Sequence, residues 1–389
     1  MKIFVLLSRV PYPLDKGDKL RAFNQIKELS KNHHIILCAL SDQPVDTEAE
    51  RILLEYCSHV EIIPLPFAGI ALNLARSLLN GKPLQVGYFY QETIRKKIQE
   101  LIAAHRPDHI FCQLVRVSEY VKHSPIPKTI DFMDALSKGV ERRVEKAPFF
   151  LKPMLKLESE RLKKYENEIF THFNNKTIIS AQDRDLLTQD ANIEIAVIPN
   201  GVDESFFATH IETEKDYELL FTGNMNYPPN IESAEYIARE ILPQVHKIKP
   251  RTRLLISGIN PSKKVLALQS EFITVSGWVK DIRDAYARAK VFIAPMRIGT
   301  GLQNKLLEAM AMQLPCITSQ LANNALGATH KKNILIGNST ADYTRHIIDL
   351  LENEKLSQFI GRNGCGFVKD KFNWVKATDL LNEILQGKK

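Results

Sequence analysis

VFIAPMRIGTGLQNKLLEAMAMQLPCITSQ, residues 291–320, reads as a strand, a helix and a second strand. The apolar run at 291–296 gives way to a turn that carries Gly299 and Gly301. From Leu302 to Met312 the apolar positions Leu302, Leu306 and Ala309 to Met310 return at helical spacing, and Pro315 stops them. PCITSQ then opens a new short apolar run. Such an order is a parallel βαβ unit.

The same rhythm fills the chain. KIFVLLS (2–8), HIILCAL (34–40), HVEIIPL (59–65), HIFCQL (109–114), KTIDFM (128–133), KTIIS (176–180) and IAVIPN (195–200) form one set of expected strands. ELLFTG (218–223), RLLISG (253–258), FITVSG (272–277), VFIAPM (291–296), PCITSQ (315–320) and NILIGN (333–338) form a second, and helix-compatible stretches alternate with both. Between the sets, NGVDESFFATHIETEKDYE (200–218) is polar and poorly periodic, which places a hinge there. At roughly 150 residues per domain, 389 residues suit two domains. The expected fold class is α/β, two doubly wound Rossmann-like domains facing a cleft. The first spans 1–198 and takes back the final helix at 373–389; the second spans 199–372. Open parallel sheets bind ligands beyond the carboxyl ends of their strands, so the chemistry is expected there.

A net charge of +7 is spread along the chain among interleaved acids, which argues against a nucleic-acid binder and suits an anionic small molecule or membrane surface. Five cysteines without a C-x-x-C pair, several inside apolar runs, fit reduced buried thiols and a cytoplasmic location. MKIFVLLSRVPYP lacks a cleavage site and breaks at Pro11, so it reads as a first strand, and no run nears the ~18 apolar residues of a membrane span.

In the opening stretch, the helix amino terminus presents free N–H groups and partial positive charge, an anion site that Gly299 and Gly301 let a phosphate approach. Lys305 and Glu308, three apart, share one helical face. Lys305 would neutralise a diphosphate with Arg297 adding bidentate contacts, while Glu308 would accept hydrogen bonds from vicinal hydroxyls such as those of a ribose. The spacing equally describes a surface ion pair worth a few tenths of a kcal/mol.

YPLDKGDKLR (12–21), VIPNGVDESFF (197–207), FTGNMNYPPNIES (221–233), GWVKDIRDAYARAKVFIAPMRIGTGLQNKLLEAMAMQLP (277–315) and FNW (372–374) together resemble a family-4 glycosyltransferase of the GT-B fold, in the subgroup of exopolysaccharide-associated (PEP-CTERM type) sugar transferases. The resemblance implies transfer of a sugar, with retention, from a nucleotide-diphosphate sugar held by the second domain to a glycan or lipid-linked acceptor held by the first, in cell-surface polysaccharide synthesis. It implies Lys305 as the donor-phosphate lysine, Glu308 as the ribose-binding glutamate, Gly17 in a first-domain loop closing over the phosphate, and Val279 beside the base. With Asn224, Gly299, Thr300, Gly301 and Leu302 these make the expected donor site, and Lys305 and Arg297 carry catalysis. Two departures stand out: Thr300 lies eight residues before Glu308 where many relatives have a glutamate, and Gly223-Asn224 stands where many have Gly-Arg, with Arg297 as the substitute. A nucleotide-sugar epimerase and a catalytically silent nucleotide-sugar binder are the alternative readings.

Arg21, Gln113, Arg116 and Asp134 follow first-domain strand ends or the Gly17 loop and are the candidate acceptor residues; each also reads as an ordinary loop or helix residue. No metal is expected, although the sequence holds one H-x-x-x-H spacing, His105 to His109 with Pro107 inside it, and one D-x-D, Asp183 to Asp185. No cofactor is expected either. The neutralising charge would come from Lys305, Arg297 and helix amides. The basic, partly amphipathic stretch at 147–170 and the apolar 65–83 read either as helices packed on the first domain or as a peripheral contact with an anionic membrane, which would place the enzyme at the inner face of the plasma membrane.

Overall fold

The structure is a computed structural model describing residues 1–44, 47–208, 213–298 and 301–388. It divides into two units, Met1–Pro199 with Trp374–Lys389, and Asn200–Asn373.

Unit 1 carries seven strands: β1 (Lys2–Leu7), β2 (His34–Ser41), β3 (His59–Pro64), β4 (His109–Gln113), β5 (Lys128–Asp131), β6 (Asn175–Ile178) and β7 (Ala196–Val197). They form one parallel sheet in the order β3-β2-β1-β4-β5-β6-β7, with Val5 of the inner strand β1 in register with Leu37 and Phe111. Phe4 and Leu6 pack into one apolar cluster, and Ile3, Val5 and Leu7 into another on the opposite face. A strand buried on both faces has no polar side, which is why these runs read as continuously apolar. Ala377, Leu381, Ile384 and Leu385 of the Trp374–Leu385 helix complete the second cluster.

Unit 2 carries β8 (Tyr217–Thr222), β9 (Leu254–Ser257), β10 (Ile273–Gly277), β11 (Ala289–Ala294), β12 (Cys316–Thr318) and β13 (Leu335–Ile336) in the parallel order β10-β9-β8-β11-β12-β13. Every expected strand is present. The edge strands β7 and β13 are cut to two residues, whereas the opposite edges β3 and β10 keep six and five. The fold class is α/β, two parallel sheets with helices, as expected.

At the carboxyl ends of β8 and β9 the chain passes through Gly223 (φ 151°) and Gly258 (φ 149°). A Cβ on Gly258 would lie 1.8 Å from the Gly223 carbonyl oxygen, so only glycine lets these two strand ends approach.

Candidate active site

The helix of the opening stretch runs Asn304–Ala311, two residues later at its start than the periodicity predicts. Leu302 and Gln303 stay outside it: Gln303 occupies the N-cap position and turns its side-chain amide back onto the Gly301 carbonyl (2.8 Å), so no side chain caps the first turn. The first-turn amides therefore keep their capacity for an anion. Leu306, Leu307, Ala309 and Met310 are buried and pin the helix to the sheet. Asn304 accepts a hydrogen bond from Asn200 (3.1 Å), which ties the NGVD segment to the helix start.

Lys305 and Glu308 lie partly buried on one face of this helix, and they are not an ion pair. Lys305 Nζ donates to the side-chain carbonyl of Asn230 and lies 4.8 Å from the centre of the Phe221 ring. Asn230 is itself held by donation from its amide to the Asn224 carbonyl (3.0 Å). A Cβ on Gly223 would stand 3.2 Å from Lys305 Nζ, so the glycine turn after β8 and the ammonium face each other directly. Burial pushes the Lys305 ammonium down to about 7, with Glu308 opposing. Glu308 accepts from the Tyr286 hydroxyl (2.9 Å), which also meets the Thr222 hydroxyl (2.9 Å). Burial raises the Glu308 carboxyl above its ordinary range, against the Tyr286 hydrogen bond and the Lys305 charge. Cation and carboxylate are thus fixed separately, each on a neutral partner, and each can serve a different part of one ligand.

Asn230 and Tyr286 were not among the expected site residues. The spacing of YPPN, a turn followed by a proline helix start, was the available signal for the first. The second lies in an unremarkable amphipathic helix, Ile282–Ala287, and gave none.

The remaining expected donor residues divide. Asn224 spends its side-chain oxygen on the Asn226 amide (3.1 Å) and contributes through its backbone carbonyl to Asn230. Val279 is partly exposed just beyond β10, beside the exposed Trp278. Gly301 and Leu302 are partly buried ahead of the helix. Gly299 and Thr300 lie outside the described residues. Arg297 shares no partner with Lys305: its guanidinium sits 3.8 Å from both Glu232 and Glu240 and 4.7 Å over the Tyr236 ring, so two carboxylates already face its charge.

In unit 1, Gly17 starts the Gly17–Leu29 helix, exposed and with no side-chain cap from Lys16. Arg21 corrects the acceptor reading. Its side chain has no exposure, its Nε and Nη2 bind both oxygens of Asp131 (2.6 and 3.3 Å), and Nη1 donates to the Ile198 carbonyl (2.9 Å). It is a core ion pair, turned inward where the reading had it outward. Gln113 is likewise buried and donates to the Asp18 carbonyl (3.3 Å), which ties it to the Gly17 turn. Arg116 donates to Gln85 (3.1 and 3.0 Å) and lies over the Phe89 ring. Asp134 follows a tight turn in which Met133 has φ 65° and the Asp134 amide donates to the Phe132 carbonyl (2.8 Å). Desolvation, then Asp183, pushes its carboxyl up to about 6, although the side chain keeps open access to water. Among the described residues, no group of three or more His, Cys, Asp or Glu stands where it could hold a metal ion.

Residues 216–353, which hold β8 to β13 and the whole Lys305–Glu308 arrangement, match the family described as glycosyl transferases group 1. The protein is therefore a glycosyltransferase, with the group 1 match confined to residues 216–353. Over nearly its full length it is 22% identical to an uncharacterized 44.6 kDa protein in the cps region of Klebsiella pneumoniae, covering 96% of this chain and 97% of that one. It is 24% identical over 209 residues to the Escherichia coli UDP-Gal:alpha-D-GlcNAc-diphosphoundecaprenol alpha-1,3-galactosyltransferase, covering 49% of this chain and 54% of that protein. Among solved structures, Anabaena HepE in complex with UDP and glucose superimposes with a TM-score of 0.69 at 14% identity, covering 98% of this chain and 99% of that one.

Proposed function

We propose that unit 2 binds a nucleotide-diphosphate sugar and that the enzyme transfers its sugar, with retention, to a glycan or lipid-linked acceptor bound by unit 1, in the synthesis of a cell-surface polysaccharide. The observation that carries the donor site is the separate anchoring of Lys305 on Asn230 and of Glu308 on Tyr286, on one face of a helix whose amino terminus is uncapped. Lys305 and the first-turn amides neutralise the diphosphate as the glycosidic bond breaks, a preorganised cation for a developing anion. Glu308, oriented by Tyr286, accepts from the ribose hydroxyls. Arg297 is not needed for this charge balance, and no metal enters it. A uridine diphosphate hexose is the first donor to test, since the similar E. coli and Anabaena proteins are described with UDP-linked galactose and with UDP and glucose.

Calorimetric titration with UDP, uridine and the 2′,3′-dideoxy diphosphate tests the assignment. Lys305→Ala should weaken UDP by roughly 1.5 to 3 kcal/mol, the range for hydrogen bonds to charged groups, and leave uridine unchanged. Glu308→Ala should stop distinguishing UDP from its dideoxy analogue. Intact UDP affinity in the first variant, or intact discrimination in the second, contradicts the donor site.

A further inference from the structure

The Phe67–Asn80 helix, FAGIALNLARSLLN, has no acidic residue and one cation, Arg76. Of its side chains only Ile70 and Ser77 are buried, yet the outward side is apolar as well: Phe67 is 82% and Leu79 90% exposed, with Leu72 and Leu78 more than half exposed. A helix on a water-facing surface normally turns its polar residues outward. The Lys152–Phe170 helix shows the same anomaly at one end. Its second half packs Leu162, Tyr165 and Ile169 into the core, whereas Phe149, Phe150, Leu151, Met154 and Leu157, at and before its first turns, stand in solvent.

These two sets form one surface. Arg161 donates from its guanidinium to the Ser77 (3.0 Å) and Leu78 (3.2 Å) carbonyls at the end of the first helix, and Leu157 and Met154 lie one and two turns before Arg161 on the same side of the second. Glu158 reinforces the joint by accepting from the Leu84 and Gln85 amides (2.8 and 3.1 Å). Roughly 1,000 Å² of apolar side chain is exposed in total, against a few hundred on the largest patch of a typical monomer. Charge around it is predominantly positive, although Glu160 is exposed on the second helix. Residues 62–91 contain no Asp or Glu, and among the described residues no ion pair engages Arg76, Lys152, Lys156, Lys163 or Lys164.

We propose that unit 1 docks through this surface onto an anionic lipid bilayer. An apolar floor rimmed by unpaired lysines fits the headgroup and acyl boundary. Two copies related by a two-fold axis would set these cations against one another. Among the described residues no helix is long and apolar enough to cross a membrane, so the contact lies on the surface.

Flotation of the full chain with phosphatidylcholine vesicles, with and without phosphatidylglycerol, at low and high salt, tests this. Binding is expected to the anionic vesicles and to fall with salt. Leu79→Glu with Phe149→Glu, and separately Lys152→Glu with Lys156→Glu, should each weaken it roughly tenfold or more while melting and UDP affinity stay as in the wild type. All four positions are exposed, so folding is not at stake. A wild type that stays below the anionic vesicles, or variants that float equally well, overturns the proposal. So does a wild-type dimer that Leu79→Glu dissociates, which would assign the face to a second copy. UDP titration is read independently, so failure here leaves the donor site standing.

Discussion

The ammonium of Lys305, pushed by burial to about 7, is shared between charged and neutral forms near neutral pH, where an exposed lysine is fully charged. A bound diphosphate favours the charged form, so binding should take up protons. Titrations in buffers of different ionisation enthalpy should show uptake of up to about half a proton at neutral pH, with affinity declining as pH rises over the next two units or so. Lys305→Arg should abolish both effects, and a proton balance of zero in the wild type would contradict the assignment. The same group bears on stability with a definite sign. Its folded value lies below the unfolded one, so between about 7 and 10 the unfolded chain binds more protons and stability rises with pH. Below that window the cost of the buried charge is fully present. Lys305→Met should therefore raise the melting temperature at neutral pH and change it little near the top of the window.

At the scale of elements, the site depends on how closely the ends of β8 and β9 approach. Gly258→Ala would place a Cβ 1.8 Å from the Gly223 oxygen at φ 149°, so strand ends must separate; a loss of about 3 kcal/mol or more in denaturant unfolding is expected. Gly223→Ala meets a side chain first, Asn230 Nδ2 at 2.6 Å, which can move. Its main effect should be on the Asn230 anchor of Lys305, seen as weaker UDP binding with a smaller stability change. If the two variants lose stability equally and bind UDP alike, the Gly223 turn does not serve the Lys305 site.

For the whole molecule, the two units hold separate apolar cores, and the chain's last helix is part of the first. Leu381 is fully buried with Ile26 and Ile384 in that core, so Leu381→Ala should lower the transition of unit 1 by about 2 to 5 kcal/mol. UDP at about a hundred times its dissociation constant should raise the transition of unit 2 by about 2.7 kcal/mol. Scanning calorimetry of both proteins, with and without UDP, separates the effects. A ligand and a substitution that move the same transition would contradict the assignment of binding to unit 2.

The strands were legible in the sequence because a parallel strand covered on both faces must be apolar at every position, and runs such as KIFVLLS and VFIAPM have that character whatever surrounds them. The common face of Lys305 and Glu308 was legible for a similar local reason, the helical repeat. The start of their helix was not, since Leu302 fits the apolar repeat while Gln303 turns back to Gly301. Partners were not legible at all. Lys305 finds Asn230 75 residues away because β8 and β11 are neighbours in the sheet, and Arg21, a cation just past a glycine turn, reads as a ligand residue until Asp131, 110 residues on, meets it in the core. Periodicity says which side of an element a residue takes. What stands opposite is set by strand order, which chain order does not contain, and there the same lysine or arginine becomes a site or a buried support.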